Sequence, residues 1–113
     1  MDMAATELPG NITCIRLNGR MDADGAGRID VPFTANVAAV GHDAIIDLSG
    51  VTFIASMGIR LLISTARGLS RNGARMVLFG AQDLVRNVLE EAAIDQIIPV
   101  VATEKKALET LGM

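Results

Sequence analysis

Ser56 has the clearest chemical setting of any side chain in the sequence, because it follows a short strand and opens a helix. The apolar run 44–48 ends shortly before it. After it, apolar residues recur at the helical spacing i, i+3, i+4, i+7 and i+10; they are Ile59, Leu62, Ile63, Ala66 and Leu69. A serine there caps the helix when its hydroxyl accepts a backbone hydrogen bond. Because the unpaired N–H groups of a helix start also tolerate a phosphate, we predict a cap and leave a phosphate acceptor open.

A nucleophilic role for Ser56 lacks the partners that such chemistry needs. The segment Ile54-Ala55-Ser56-Met57-Gly58 has no first glycine of a G-x-S-x-G turn. His42 is the only histidine, and the intervening strand places it about 16 Å or more from Ser56. Lys105 and Lys106 belong to a terminal helix, where a solvated face is the expected role. We therefore predict no catalytic residues and no enzymatic activity.

Two aspartates and two glycines form the segment that most resembles a ligand loop. Asp22 and Asp24 precede Gly25 and Gly27. The distal glutamate of a calcium loop is missing, and the phosphate-loop patterns G-x-G-x-x-G and GK[ST] are absent. One histidine and one cysteine give no zinc pattern. We therefore expect a plain loop, with no metal and no cofactor.

Polar residues on the helix after Ser56 form one line along its surface. They follow the spacing i, i+4, i+7 and i+11; they are Arg60, Ser64, Arg67 and Arg71. This line is either a solvated face or a docking surface whose apolar tip is Met57. Glycine is unfavourable inside a helix, so Gly58 favours the docking interpretation if a partner approaches closely there.

Composition restricts the class of protein. The chain has 113 residues and a net charge of -3, which predicts one domain, 1–113, and argues against a nucleic-acid partner. The N-terminus does not resemble a signal peptide, and no apolar stretch approaches the ~20 residues of a membrane span. We expect a cytoplasmic protein without a membrane partner. Cys14 is the only cysteine, which excludes an internal disulfide and predicts a buried, inert thiol.

The elements that must position Ser56 alternate between strands and helices. Strands are predicted at 3–8, 12–17, 44–48, 75–79 and 97–101, with a hairpin at Pro9-Gly10-Asn11 and a strand end at Asn18-Gly19-Arg20. Pro32 predicts that the first helix begins late, near Asp30 to Pro32, or is kinked. Further helices are expected after Ser56, at 83–92 with Leu84, Val85, Val88 and Leu89 facing inward, and at 104–111 behind a Thr103 cap. Alternation of this kind predicts an α/β fold with a small, mixed, mainly parallel sheet of about four to five strands and about four helices, mostly on one side.

Four segments together resemble a known family. DLSGVTFIASMGIRLL at 47–62 is similar to the motif D-[LV]-S-x-[VL]-x-[FY]-[ILM]-D-[ST]-x-G-[LI], and LNGRMD at 17–22 to L-x-G-x-[LI]-D. GARMVLFG at 73–80 is similar to the fourth strand of the same family, and VRNVLEEAAID at 85–95 to its V-x-[RK]-[LV]-[LF]-x-x-[ST]-G-L helix. The chain thus resembles the STAS domain family over nearly its whole length, and within it the stand-alone bacterial anti-sigma factor antagonists.

This resemblance implies a regulator that binds other proteins. Family members bind an anti-sigma factor that is also a serine kinase, which frees the sigma factor. The kinase phosphorylates the motif serine, here Ser56, and a serine phosphatase reverses the reaction. Carried over to this sequence, the partner-binding set comprises Asp22, Asp24, Thr52, Ala55, Ser56, Met57, Gly58 and Arg60. A monomer or weak dimer is expected.

The sequence departs from the family motif at two positions. Ala55 stands where the family usually has aspartate, and Ala93 where it usually has glycine. The first departure removes an acid beside the acceptor. It leaves open an alternative, a STAS-type interaction subunit of a larger assembly, such as a stressosome or a lipid-transport complex, without a phosphorylation switch.

Overall fold

The computed structural model describes residues 1–113 and shows strands and helices in alternation after an initial hairpin. The strands are β1 (Asp2–Leu8), β2 (Ile12–Met21), β3 (Asp43–Ile54), β4 (Met76–Phe79) and β5 (Val100–Val101). The helices are α1 (Ala23–Asn36), α2 (Ser56–Arg71), α3 (Asp83–Glu91) and α4 (Glu104–Thr110), with a 3-10 turn at Ile94–Gln96. The predicted α/β class is confirmed. None of the four helices is both long enough and apolar enough to span a membrane.

The five strands form one sheet in the order β1-β2-β3-β4-β5. Only the β1–β2 hairpin is antiparallel, and the other three pairs are parallel. A core of 21 buried residues fills the space between the sheet and the first three helices. A smaller cluster of 7, which includes Cys14, lies under α4 on the opposite face. The prediction of helices mostly on one side is therefore confirmed.

The hairpin follows the prediction, but β2 is longer than expected. Gly10 and Asn11 have φ of 87° and 57°, the left-handed conformations that a tight hairpin turn needs. The predicted strand end at Asn18-Gly19-Arg20 is wrong, because β2 continues to Met21. Two register irregularities against β3 accommodate these turn-forming residues. This extension carries β2 to the edge of the sheet where α2 begins.

The start of α1 corrects the prediction that Pro32 would delay this helix. The helix begins at Ala23, because the Asp22 carboxylate accepts a hydrogen bond from the Gly25 N–H at 2.8 Å. Pro32 lies inside the helix, where burial of Ile29 and Phe33 outweighs the lost hydrogen bond. Asp22 to Gly27 is thus a capped helix start, and the expected loop is wrong.

The C-terminal third matches the prediction in outline. β4 is buried on both faces, α4 is capped by Thr103, and β5 is only two residues long. On α3, Val85 and Leu89 are buried as predicted, whereas Leu84 is 60% exposed. That prediction is wrong because α3 turns a single narrow stripe toward the sheet, and Leu84 lies outside the stripe.

Candidate functional site: the start of helix α2

Two neighbouring strand ends position the start of α2. Met21 at the end of β2 is the partner of Ile54 at the end of β3. Beyond this pair, the Ala55 N–H donates a hydrogen bond to the Met21 carbonyl oxygen at 3.0 Å. Asp22 and Ser56, which begin the next turns of chain, therefore leave the sheet from adjacent positions. The structure thus brings the two motif segments of the sequence to one edge.

Ser56 is the first residue of α2 and not its cap. The cap position belongs to Ala55, whose extended backbone (φ -116°, ψ 178°) precedes the helix. The Ala55 carbonyl oxygen accepts hydrogen bonds from Gly58 and Ile59 at 2.9 and 3.1 Å. No side-chain hydrogen bond caps α2, so the predicted Ser56 cap is wrong. The Ser56 side chain is exposed, and its hydroxyl is accessible to a partner.

Replacing Ala55 with aspartate is expected to raise the free energy of unfolding by about 1 kcal/mol, because an N-cap oxygen would accept a hydrogen bond from a helix N–H that alanine leaves open. Urea unfolding followed by circular dichroism measures this change. Thr103→Ala is the matched opposite. It removes the Oγ1 that accepts from the Lys106 N–H at 3.2 Å and should lower stability by about 1 kcal/mol. No gain for Ala55→Asp would contradict an uncapped α2.

Packing within the domain requires a glycine at position 58. It is buried in the first turn of α2. A Cβ built there would lie 2.8 Å from Met21 Cγ and 3.0 Å from the Met21 carbonyl oxygen. Only a residue without a side chain lets α2 pack this closely over the strand ends. The close approach that the sequence predicted for a partner is made by Met21.

Ser56 and Met57 form a ridge between two grooves. Met57 is 45% exposed and lines the groove between α1 and α2, together with Asp30 and Arg60. Ser56 lines the groove between α2 and α3, whose walls are apolar apart from this hydroxyl and Glu91. Of the predicted partner-binding residues, Arg60 thus faces α1, while Ala55 and Ser56 face α3.

Asp22 is held in place by the backbone N–H of Gly25 and by a neighbouring arginine. Its Oδ1 accepts from the Gly25 N–H, and Arg20 Nε lies 3.5 Å from its Oδ2. These contacts lower the pKa of Asp22, the hydrogen bond from Gly25 most and Arg20 next. Asp24 is exposed and pairs with Arg28 at 2.9 Å. The two loop aspartates of the sequence therefore differ, one being a helix cap and the other a surface charge.

The lowered pKa of Asp22 predicts a stability that depends on pH in the acid range. Folding lowers this pKa, so the carboxylate stabilises the fold above its unfolded pKa and loses that effect as the pH falls through the folded value. Asp22→Asn keeps an oxygen for the Gly25 N–H and removes the titration. The stability difference between wild type and Asp22→Asn should therefore shrink below about pH 4. Thermal melts from neutral pH to about pH 3 test this, and a difference that grows on acidification contradicts it.

Asp47, the first residue of the central motif, has a structural role that the sequence did not reveal. It is 8% exposed, and its Oδ2 lies 2.7 Å from Arg16 Nη1. Its Oδ1 accepts from the Ser49 N–H at 2.9 Å, and the same arginine reaches Glu104 at 3.3 Å. The network joins β2, β3 and α4 on the face opposite α2. The only sign of this role in the sequence is a single acidic residue within an apolar strand.

The remaining chemistry-bearing residues lie away from Ser56. His42 precedes β3 and pairs with Glu7 at 3.1 Å, at the opposite end of the strand from Ser56. Thr52 is exposed on β3, where its hydroxyl donates to the Gly19 carbonyl oxygen at 3.4 Å. Cys14 is buried, and burial is the main cause that raises the pKa of its thiol. No three His, Cys, Asp or Glu side chains gather in a metal-binding group. The site therefore offers an exposed hydroxyl and a shaped surface.

Comparison with known proteins places this fold. A STAS domain family model matches residues 3–107. An anti-sigma factor antagonist from Mycobacterium paratuberculosis is 21% identical, with 99% of this chain and 94% of that chain covered at a TM-score of 0.88. An anti-sigma-factor antagonist (STAS) domain protein from Planctomyces limnophilus is 23% identical over 100% of both chains, with a TM-score of 0.86. The Bacillus cell fate determinant SpoIIAA in its phosphorylated form is 20% identical, covering 97% of this chain and 99% of that chain at 0.71.

These matches agree with the architecture described above. They share its fold across nearly their full lengths, although their sequences have diverged widely. The family model covers β1 from its second residue and the whole of β2, β3, β4 and β5. It also covers the whole of α1, α2 and α3. The chain therefore belongs to the STAS domain family, and its fold is that of the anti-sigma factor antagonists.

Proposed function

We propose that this chain is an anti-sigma factor antagonist controlled by phosphorylation of Ser56. In this proposal the unphosphorylated form binds an anti-sigma factor serine kinase in the cytoplasm and releases the sigma factor. Phosphorylation by the kinase ends binding, and a serine phosphatase restores it. The observation that carries the proposal is the exposed Ser56 hydroxyl, which no cap hydrogen bond engages, at the first turn of α2.

The electrostatics of α2 support a phosphate at this position. The first turn contains no acidic residue, and the helix start presents N–H groups with partial positive charge. A phosphate adds about -1.5 to -2 charges, which the helix start favours. Phosphorylation should therefore act on the binding surface and leave the domain folded. That surface comprises the eight predicted residues around Ser56, with buried Gly58 contributing only its backbone.

Two relatives add weight to the switch. SpoIIAA has been solved in an unphosphorylated and a phosphorylated form, and both match this chain in fold. A serine-to-glutamate variant of RsbS from Moorella thermoacetica matches at a TM-score of 0.76 with 17% identity. The proposal extends to this chain the kind of regulation that these names indicate for their own proteins.

The second candidate is an interaction subunit of a larger assembly without a switch. Ala55 favours it, because the acid that usually precedes the motif serine is missing. The same fold also occurs within a murine anion transporter, Slc26a9, where the match covers only 17% of that chain at a TM-score of 0.74. In this candidate Ser56 only begins α2.

One experiment separates the two candidates. The chain is incubated with each anti-sigma serine kinase of the source organism and ATP, and its intact mass is measured. The switch predicts the addition of one phosphate, which Ser56→Ala abolishes. Ser70→Ala, which removes an exposed hydroxyl near the far end of α2, is the control and should still gain the phosphate. No addition with any kinase would favour the assembly role, as would a phosphate that persists in Ser56→Ala.

A further inference from the structure

The arginines of α2 differ from most others in the protein. Arg16, Arg20, Arg28 and Arg86 each lie within 4.0 Å of a carboxylate oxygen. Arg60, Arg67 and Arg71 are exposed on α2 and form no ion pair. The sequence of α2 also contains no aspartate or glutamate. We call these three arginines the basic stripe.

The basic stripe is narrow and lies between two acidic helices. On one side, α1 carries exposed Asp24 and Asp30, and Asp30 lines the groove beside Arg60. On the other side, the end of α3 carries exposed Glu90 and Glu91, and Glu91 lines the groove beside Ser56. The whole chain has a net charge of -3. Uncompensated positive charge on this face is therefore confined to one helix.

We propose that the basic stripe docks an acidic segment of a partner protein that lies along α2. Arg60, Arg67 and Arg71 lie about one, three and four turns after Ser56, and the helix is about 22 Å long from Ser56 to Arg71, enough for an acidic helix of similar length. Charge complementarity of this kind speeds association and fixes the orientation of the partner. Unpaired arginines retain their full donor capacity for carboxylates, which they bind in bidentate fashion.

The stripe also explains how a phosphate on Ser56 would weaken binding without unfolding the domain, a part of the inference that rests on the proposed function. Ser56 lies one turn before Arg60 on the same helix. A phosphate there lowers the charge of this face from +3 to about +1. An acidic segment is attracted less strongly to the modified surface. The phosphate therefore makes the binding free energy of this segment less favourable.

A protein segment fits this surface better than a polyanion or a membrane. A nucleic acid or an anionic bilayer extends beyond a single helix and would meet the acids of α1 and α3. Single-stranded nucleic acid also needs exposed aromatic rings for stacking, and the ring of Phe53 is covered by Arg20 at 4.4 Å. Only a slender acidic segment contacts the stripe and avoids its flanks.

The test uses the full chain, labelled with 15N, and a synthetic helical peptide with a glutamate on every turn. Amide shifts should concentrate on α2 from Arg60 to Arg71, and added salt should weaken binding. Arg67→Glu/Arg71→Glu should raise the dissociation constant at least about tenfold. The control is Lys105→Glu/Lys106→Glu, which produces the same net charge at α4 on the opposite face and should bind the peptide like wild type. Thermal melts show that both variants are folded.

Three results would overturn the inference. Shifts scattered over the surface or centred on α4 would show that no stripe is selected. Equal losses of peptide affinity in the two double variants would show that the net charge of the chain, and not the position of the stripe, determines binding. Tighter binding of single-stranded DNA or of phosphatidylserine vesicles than of the peptide would exclude a protein segment as the preferred ligand.

The two proposals fail separately. Phosphoserine incorporated at position 56 should raise the dissociation constant of the peptide about three- to tenfold, whether or not a kinase is known. If no kinase modifies Ser56 but the peptide binds α2, the switch fails and the stripe stands. If a kinase modifies Ser56 and binds Arg67→Glu/Arg71→Glu as tightly as wild type, the switch stands and the stripe fails.

Discussion

Ser56→Asp is expected to weaken binding of the proposed anti-sigma kinase by about 100-fold, because a charge that must lose its water at the centre of an interface costs about 2–5 kcal/mol. The domain itself should not lose stability. Aspartate at the first residue of α2 interacts favourably with the helix dipole, by about 0.3–1 kcal/mol. The melting temperature should therefore stay level or rise by less than about 4 °C.

The matched control for this experiment is Ser56→Asn, which has nearly the same shape as aspartate and no charge. Calorimetric titration of the kinase with the wild type and both variants separates bulk from charge. Asparagine should keep most of the affinity if charge is the cause. A large drop in melting temperature for Ser56→Asp, with binding retained, would contradict both parts of the prediction.

The second large effect is expected at the start of α1. In Gly25→Ala the new methyl group would collide with the Arg20 carbonyl oxygen, which is backbone and cannot move without disturbing the end of β2. We expect a loss of about 3 kcal/mol or more in the free energy of unfolding. Because β2 also positions α2 through Met21, the same variant should weaken kinase binding.

Gly27→Ala provides the opposite result on the same helix. A Cβ at Gly27 meets no atom within 4 Å, and the residue is exposed. Alanine should therefore stabilise the protein by up to about 1 kcal/mol, through its higher helix propensity. Chemical denaturation of both variants measures the contrast. Equal effects at the two positions would show that the packing of Gly25 against Arg20 is not the cause.

The candidate site was recognisable in the sequence because its chemistry is local. The strand, the turn and the amphipathic α2 occupy one continuous segment, so periodicity placed the exposed serine at the start of a helix. The position of the cap was missed by one residue, since a cap is defined by the φ and ψ of Ala55, which no side-chain pattern reports. Ala93 illustrates the same limit. Its φ of 54° is a left-handed conformation that costs alanine about 1–2 kcal/mol. The residue type alone does not reveal this conformation.

The errors in the fold have a common physical origin. Pro32 does not interrupt α1, because the energy that keeps this helix continuous comes from burial of Ile29 and Phe33 against distant strands. Asn18-Gly19-Arg20 resembled a strand end, yet pairing with β3 carries the chain through it. Leu84 has the spacing of a core residue and remains exposed. In each case contacts between distant segments overrode a local preference.

By itself the sequence determined the α/β class, the hairpin, the uniformly buried β4 and the place of Ser56 at the start of an amphipathic helix, because these follow from side-chain periodicity and turn chemistry within short segments. Only the tertiary structure decided that Asp22 and Ser56 leave adjacent strand ends and that close packing against Met21 requires glycine at position 58. It also decided that the α2 arginines lie unpaired between acidic helices. These features depend on strand register and helix packing. Both arise from contacts between residues far apart in the chain, which no local pattern encodes.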